Sequence, residues 1–157
     1  MAANGLMYTT NFDTVAVTAA AQDIWEFVCG ATTGILIHSF KITFVPTITS
    51  GVAQDVRAQM RQVVRSTTGT GGVAVVPRAV NPRNTVVAVT TTTRTVTTPG
   101  TVGNVWSAEQ ISVIVPYERV FTQDQRIFVP AATRWCLNLE ASVGALNCSG
   151  EVYFEEL

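Results

Sequence analysis

At 157 residues the chain has the length of a single domain, enough to bury about two-thirds of its unfolded surface without help from a disulfide or a metal. Hydrophobic residues make up 47% of it, but charged residues only 13%, against roughly 25% in an average soluble domain, and the net charge is -1. That balance gives no whole-domain attraction to nucleic acid or to an anionic membrane, and it leaves a surface to be covered by uncharged polar groups or by other protein.

Valine and threonine dominate, and both β-branched types fit a pleated sheet better than a helix. Met1 to Thr10 carries no periodicity and reads as part of an N-terminal arm, residues 1–12, ahead of one domain over 13–157. Thr14 to Thr18 and Ile24 to Val28 read as short strands. Leu36, His38, Phe40, Ile42 and Phe44 recur at a spacing of two, which predicts a strand with all five on one face, ended by Pro46.

Val52 to Arg65 fits either a helical stripe or a strand. The strand is favoured, and it sets Arg57, Arg61 and Arg65 along one ridge. Ser66 to Gly72 is a Gly-rich turn, and Val73 to Thr98 is an extended run broken by Pro77 and Pro82, with Thr90 to Thr93 as an edge strand turning its hydroxyls to water. Further strands are expected at Val105–Val115, Arg126–Val129, Arg134–Glu140 and Asn147–Glu155. About eight strands with no helix predict an all-β antiparallel sandwich of jelly-roll type in a single domain.

Chemistry is sparse. Any histidine-based scheme must use His38, which lies within a predicted strand and reads as a core or interface residue. Asp13, Asp23, Asp55 and Asp124 are scattered, and Cys29, Cys136 and Cys148 lack metal-ligand spacing, so neither a metal nor a cofactor is expected and the thiols read as buried and free. Gly69 to Gly72 lacks the Lys-Ser or Lys-Thr of a phosphate loop. Trp25, Trp106 and Trp135, with Tyr8, Tyr117 and Tyr153, read as core or interface aromatics rather than as a sugar platform. Glu151, Glu155 and Glu156 read as a solvated terminus or as partners for Arg57, Arg61 or Arg65 on a neighbouring strand or subunit, which makes these six residues the candidate interface. An enzyme is not expected. The N-terminus shows no basic-then-apolar signal, and Ile35 to Val45 is too short to span a bilayer.

Several of these features occur in an order that resembles the small virion proteins of tailed bacteriophages. They are the strand Gly34–Val45, the Arg-rich Asp55–Ser66, the Gly-rich turn, Val76-Pro77-Arg78-Ala79-Val80-Asn81-Pro82, and the closing Ser149-Gly150-Glu151-Val152-Tyr153-Phe154-Glu155-Glu156. The resemblance runs from Ile24 to Leu157. It implies a capsid decoration or cement protein on the virion surface, assembled in the host cytoplasm, whose partners are further copies of itself in a homotrimer and the major capsid protein. It brings no catalytic residues. The alternative is a tail or head-fibre attachment module that binds a cell-surface glycan.

Overall fold

The computed structural model describes residues 5–17, 20–46, 57–141 and 146–157, which form twelve strands and one 3-10 turn at Gln123–Gln125. Sheet A holds β1 (Leu6–Val17), β3 (Ile35–Pro46), β6 (Arg78–Ala79), β9 (Tyr117–Val120), β10 (Ile127–Val129) and β12 (Leu146–Glu156). Sheet B holds β2 (Gln22–Val28), β4 (Arg57–Arg65), β5 (Val73–Val75), β7 (Thr91–Val96), β8 (Val102–Ser112) and β11 (Arg134–Ala141). Sheet A runs β10-β3-β12-β1-β6, with β9 sharing the outer edge of β3, and sheet B runs β5-β7-β2-β11-β4-β8. All pairings are antiparallel, and the molecule is an all-β sandwich.

The two sheets meet because each strand buries one face. β12 alternates most cleanly, sending Leu146, Cys148, Gly150, Val152, Phe154 and Glu156 inward. Aromatic rings carry the contact between layers: Tyr8 stacks on Phe154, Phe154 meets Phe27 edge-on at 5.4 Å, Phe27 meets Trp135 at 5.6 Å, and Trp135 meets Phe40 at 6.1 Å. Fully burying one such ring stabilises by about 1.5–3 kcal/mol. Gly150 is glycine because the Trp25 ring and Ile42 occupy the space where a Cβ would stand.

Three expectations change. Leu36 and His38 do not share a face with Phe40, because the pairing with β12 passes from Ser39↔Tyr153 to Ile37↔Phe154 and leaves His38 as an extra residue. This bulge reverses the alternation, so Ile35 and Ile37 point inward on one side of it and Phe40, Ile42 and Phe44 on the other. Residues 6–12 are no arm: they form the first half of β1, paired with β12 from Leu6↔Glu156 to Phe12↔Gly150, and Tyr8 and Phe12 are core residues. Removing Met1–Phe12 would therefore take half of an interior strand away.

The third change concerns β7, which is not an edge. It lies between β5 and β2, and the Thr92 hydroxyl donates to the Val75 carbonyl at 2.6 Å while standing 3.2 Å from the Thr10 hydroxyl. The segment Tyr117–Val120, to which the sequence reading assigned no element, is the strand β9. The described part of Val52–Arg65 is the strand β4, while Val52–Val56 lies outside the described residues.

Residues 66–101 leave β4 on sheet B, place β5 and β6 along the β2/β1 side of the sandwich, and return as β7. This side of the molecule is thus lined by one continuous stretch of chain. The opposite side is bounded by β8 in one sheet and by β9 and β10 in the other.

Candidate interaction surface

The candidate arginines lie on β4, and the structure gives them different fates. Arg65 is 4% exposed and grips Asp23 of β2 through both ends of its guanidinium, with Nε and Nη2 each 2.6 Å from a carboxylate oxygen. Its Nη1 donates to the Gly100 carbonyl at 2.7 Å. Burial works against the guanidinium's charge, but the Asp23 carboxylate more than offsets it, and the pKa stands above its ordinary value. Asn138 completes the cluster, its amide donating to Asp23 at 2.8 Å. Arg61 pairs with Glu140 and approaches the Asn138 side-chain oxygen. The backbone of Arg57 is paired with Ser112 of β8.

A loop covers this face of sheet B. The Gly69 N–H donates to the Glu26 carboxylate at 3.1 Å, Arg134 Nε reaches the Thr68 hydroxyl at 2.7 Å, and Thr70 and Thr98 bridge backbone to backbone. Val63, Val96 and Cys136 are fully buried on this face. Burial raises the Glu26 pKa, with the Gly69 N–H opposing, and Asp23 beside it adds to the rise.

The glutamates lie on β12 in the other sheet, so within the chain they do not meet the arginines. Glu156 is buried and accepts the backbone N–H groups of Val89 and Thr90 at 3.2 and 2.6 Å, tying the 66–101 insertion to sheet A. Glu155 lies 3.1 Å from His38 Nε2. Glu151 faces outward, opposite Lys41. Arg65 and Glu156 are therefore consumed inside the fold and offer nothing to a partner, whereas Glu151 lies at the surface.

Glu151, Lys41, Thr43, Ser149, Asn11 and Asp13 border an open groove of about 470 Å³ on the outer face of sheet A. Its rim is fixed by a bulge in β1, where Thr14 adopts φ 45°, its N–H donates to the Ser149 hydroxyl at 3.0 Å, and that hydroxyl donates to Asp13 at 2.7 Å. Two hydroxyl donors pull the Asp13 pKa down.

The three cysteines are buried and free, and burial pushes the thiols of Cys29 and Cys148 up to about 11 and about 12, leaving little thiolate for chemistry. Among the described residues no three His, Cys, Asp or Glu side chains converge as a metal site.

What the surface offers instead is apolar. Trp25 and Trp135 are core residues, but Trp106 on β8 is 45% exposed, beside exposed Val102 and Val105 on the same strand. Ile114, Val115, Val120 and Phe128 are exposed on the same side of the sandwich. On the opposite side the insertion exposes Val73, Val76, Val80, Val86, Val87 and Val89, with Val87 75% exposed. Sequence reasoning missed these two sides, although one signal was present: residues 66–101 combine valine runs with Arg78, Arg83 and Arg94 and contain no Asp or Glu. Comparison of the chain with protein-family models, with curated proteins and with solved structures returns no match.

Proposed function

We propose that this chain is a structural virion protein of a tailed bacteriophage, a capsid decoration or cement protein that bridges coat subunits and associates with copies of itself, and that it carries no catalytic activity. The observation that supports this reading best is the placing of exposed apolar side chains along both long sides of a charge-poor sandwich, since surfaces of that kind mark protein–protein contact. The strand order favours a jelly-roll reading: β1, β12, β3 and β9/β10 form one sheet, and β2, β11, β4 and β8 the other. The chain changes sheet at every connection between these strands except that from β4 to β8, which stays in sheet B and carries residues 66–101 as an insertion. Jelly rolls recur in viral capsids, and also in lectins.

The segments that carry the phage resemblance have fold-building roles. In the closing segment, Gly150 accommodates Trp25, Phe154 joins the interlayer ring contacts and Glu156 holds the insertion; Val76–Pro82 takes the chain from sheet B to sheet A. Counting copies in purified virions against the major coat protein tests the proposal. A decoration protein is present in a fixed ratio to coat subunits, on the order of hundreds of copies, and a handful of copies would place the chain in the tail instead.

The groove on sheet A favours a second reading, an attachment module for a cell-surface glycan, because its polar rim suits sugar hydroxyls. Reproducible binding on a glycan array that is lost in Asn11→Ala/Lys41→Ala would establish it.

A further inference from the structure

A second cavity lies at the seam where the two sheets part. β6 pairs with β1 only at Tyr8 and Thr9, so from Thr10 onward β1 has no ladder partner on that side. There a cavity of about 390 Å³ opens between Asn11–Asp13 and the strands β5 and β7 of sheet B. Phe12, Val75 and Val76 contribute apolar wall.

Arg94 is the unusual group in it. In the ladder it stands opposite Trp25, a core residue, so its side chain leaves β7 on the inner face of sheet B, and its guanidinium lies 5.9 Å from the centre of the Phe12 ring. It is half-buried, yet among the described residues it makes no ion pair and no side-chain hydrogen bond. Arg65, in the same sheet, meets its burial with Asp23, and Arg94 has no such carboxylate. A guanidinium resting on an aromatic face keeps its N–H edge free for a planar acid. Arg78 on β6 lines the same cavity, is exposed, and is likewise without an ion pair among the described residues.

The acid in the lining is Asp13. Its Oδ1 accepts the Thr14 and Ser149 hydroxyls at 2.9 and 2.7 Å, and the carboxylate is in ion-pair contact with neither arginine. Lys41 and Glu151, in the groove that shares Asn11 with this cavity, add one charge of each sign and cancel. Two arginines against Asp13 therefore leave a single positive charge unanswered. Strain lies at the same place, since Thr14, a β-branched residue, holds φ 45° in the bulge that sets Asp13. Bulges and strained backbone gather where a side chain is aimed at a ligand.

We propose that this cavity binds an acidic sugar, a ring that carries one carboxylate beside its hydroxyls. Arg94 and Arg78 take the carboxylate, whose two oxygens match the edge of a guanidinium. The Asn11 amide and the Asp13 carboxylate take neighbouring hydroxyls. One surplus positive charge suits a monoanion, and the cavity falls within the roughly 300–1,000 Å³ usual for small-molecule sites. The site deepens the attachment reading: it rests on that reading for the sugar, and it adds the requirement for an acid in a cavity distinct from the groove on sheet A.

The test titrates the purified full chain with glucuronate and follows the backbone and arginine Nε–H signals by 15N NMR, with glucose and acetate as separate arms. Glucuronate is expected to bind saturably and to move the Arg94 Nε–H signal. Glucose and acetate are each expected to bind at least about tenfold more weakly, because each lacks one half of the recognised group. Arg78→Gln, at an exposed position, is expected to weaken glucuronate about tenfold without shifting the thermal melt, and Arg94→Gln at least as much, with near-UV circular dichroism confirming its fold. No saturable glucuronate binding, glucose or acetate bound as tightly as glucuronate, or an Arg78→Gln chain that binds like wild type would overturn the site. Neutral glycans bound on the array, with that binding lost in Asn11→Ala/Lys41→Ala and no preference for glucuronate over glucose, would remove this site and leave the attachment reading standing.

Discussion

The outer faces of the two sheets start from similar material. Sheet A presents Asn11, Asp13, Lys41, Thr43, Ser149 and Glu151, and sheet B presents Asp23, Glu26, Arg61, Arg65 and Asn138. On sheet B the segment Ser66–Gly72 and the stretch around Gly100 lie over the face, and Asp23, Glu26 and Arg65 beneath them are buried and hydrogen-bonded within the chain. The groove on sheet A is open, and its charges stay at the surface, held only by local bonds such as Ser149 to Asp13. The same residue types thus stabilise the fold on one face and are free for other work on the other. Desolvation makes the difference, because a buried charge must find its partner inside the chain whereas an exposed one has water.

The sharpest way to break this comparison is at Arg65. Arg65→Leu leaves Asp23 buried without its cation and is expected to cost about 3–5 kcal/mol in urea denaturation. Asp23→Leu/Arg65→Leu should recover a large part of that loss, since the two sites are directly coupled. A loss below about 1 kcal/mol for the single variant would mean that the covered face is no more committed than the open one.

Glu26 probes the same cover through pH. Its folded pKa is raised by burial, so its ionisation opposes the fold: the stability associated with the protonated acid is fully present below the unfolded value of about 4.5 and is lost as pH rises through the raised value. Glu26→Gln keeps an acceptor for the Gly69 N–H and removes that loss. Thermal melts of both proteins from acidic to neutral pH should therefore converge in acid, with the variant at least as stable at neutrality. A variant that melts well below wild type at neutral pH would show that the ionised carboxylate is needed by the loop.

The smallest effect belongs to the open face. Lys41→Gln and Glu151→Gln are expected to change stability by no more than about 0.5 kcal/mol, measured by the same denaturation. A larger loss at either position would give the groove a structural role.

Much of the fold was legible in the sequence because strand formation depends on local pattern. The β-branched composition, the alternation after Phe40, the stop at Pro46 and the strand over Arg57–Arg65 all follow from side-chain shape and a period of two. The reading failed where a single extra residue changes everything downstream. A bulge at His38 turned Leu36 and His38 outward, and nothing in the local composition marks it, because it is set by the register with Tyr153 and Phe154 more than a hundred residues later. The strand over Leu6–Phe12 was hidden for a related reason: polar Thr9 and Asn11 alternate with Tyr8, Thr10 and Phe12, and only the pairing with β12 gives that alternation a face.

The candidate site divides along the same line. The sequence by itself determined which residues were available: few charges, nearly all the cations arginine, and an insertion of valines and arginines without an acid. Tertiary structure alone decided their use. It took Arg65 to Asp23, 42 positions away, and Glu156 to Thr90, 66 positions away, and left Trp106 exposed while burying Trp25 and Trp135. The physical reason is that strand pattern is a property of neighbours in sequence, whereas desolvation is a property of whatever the closed chain lays over a residue.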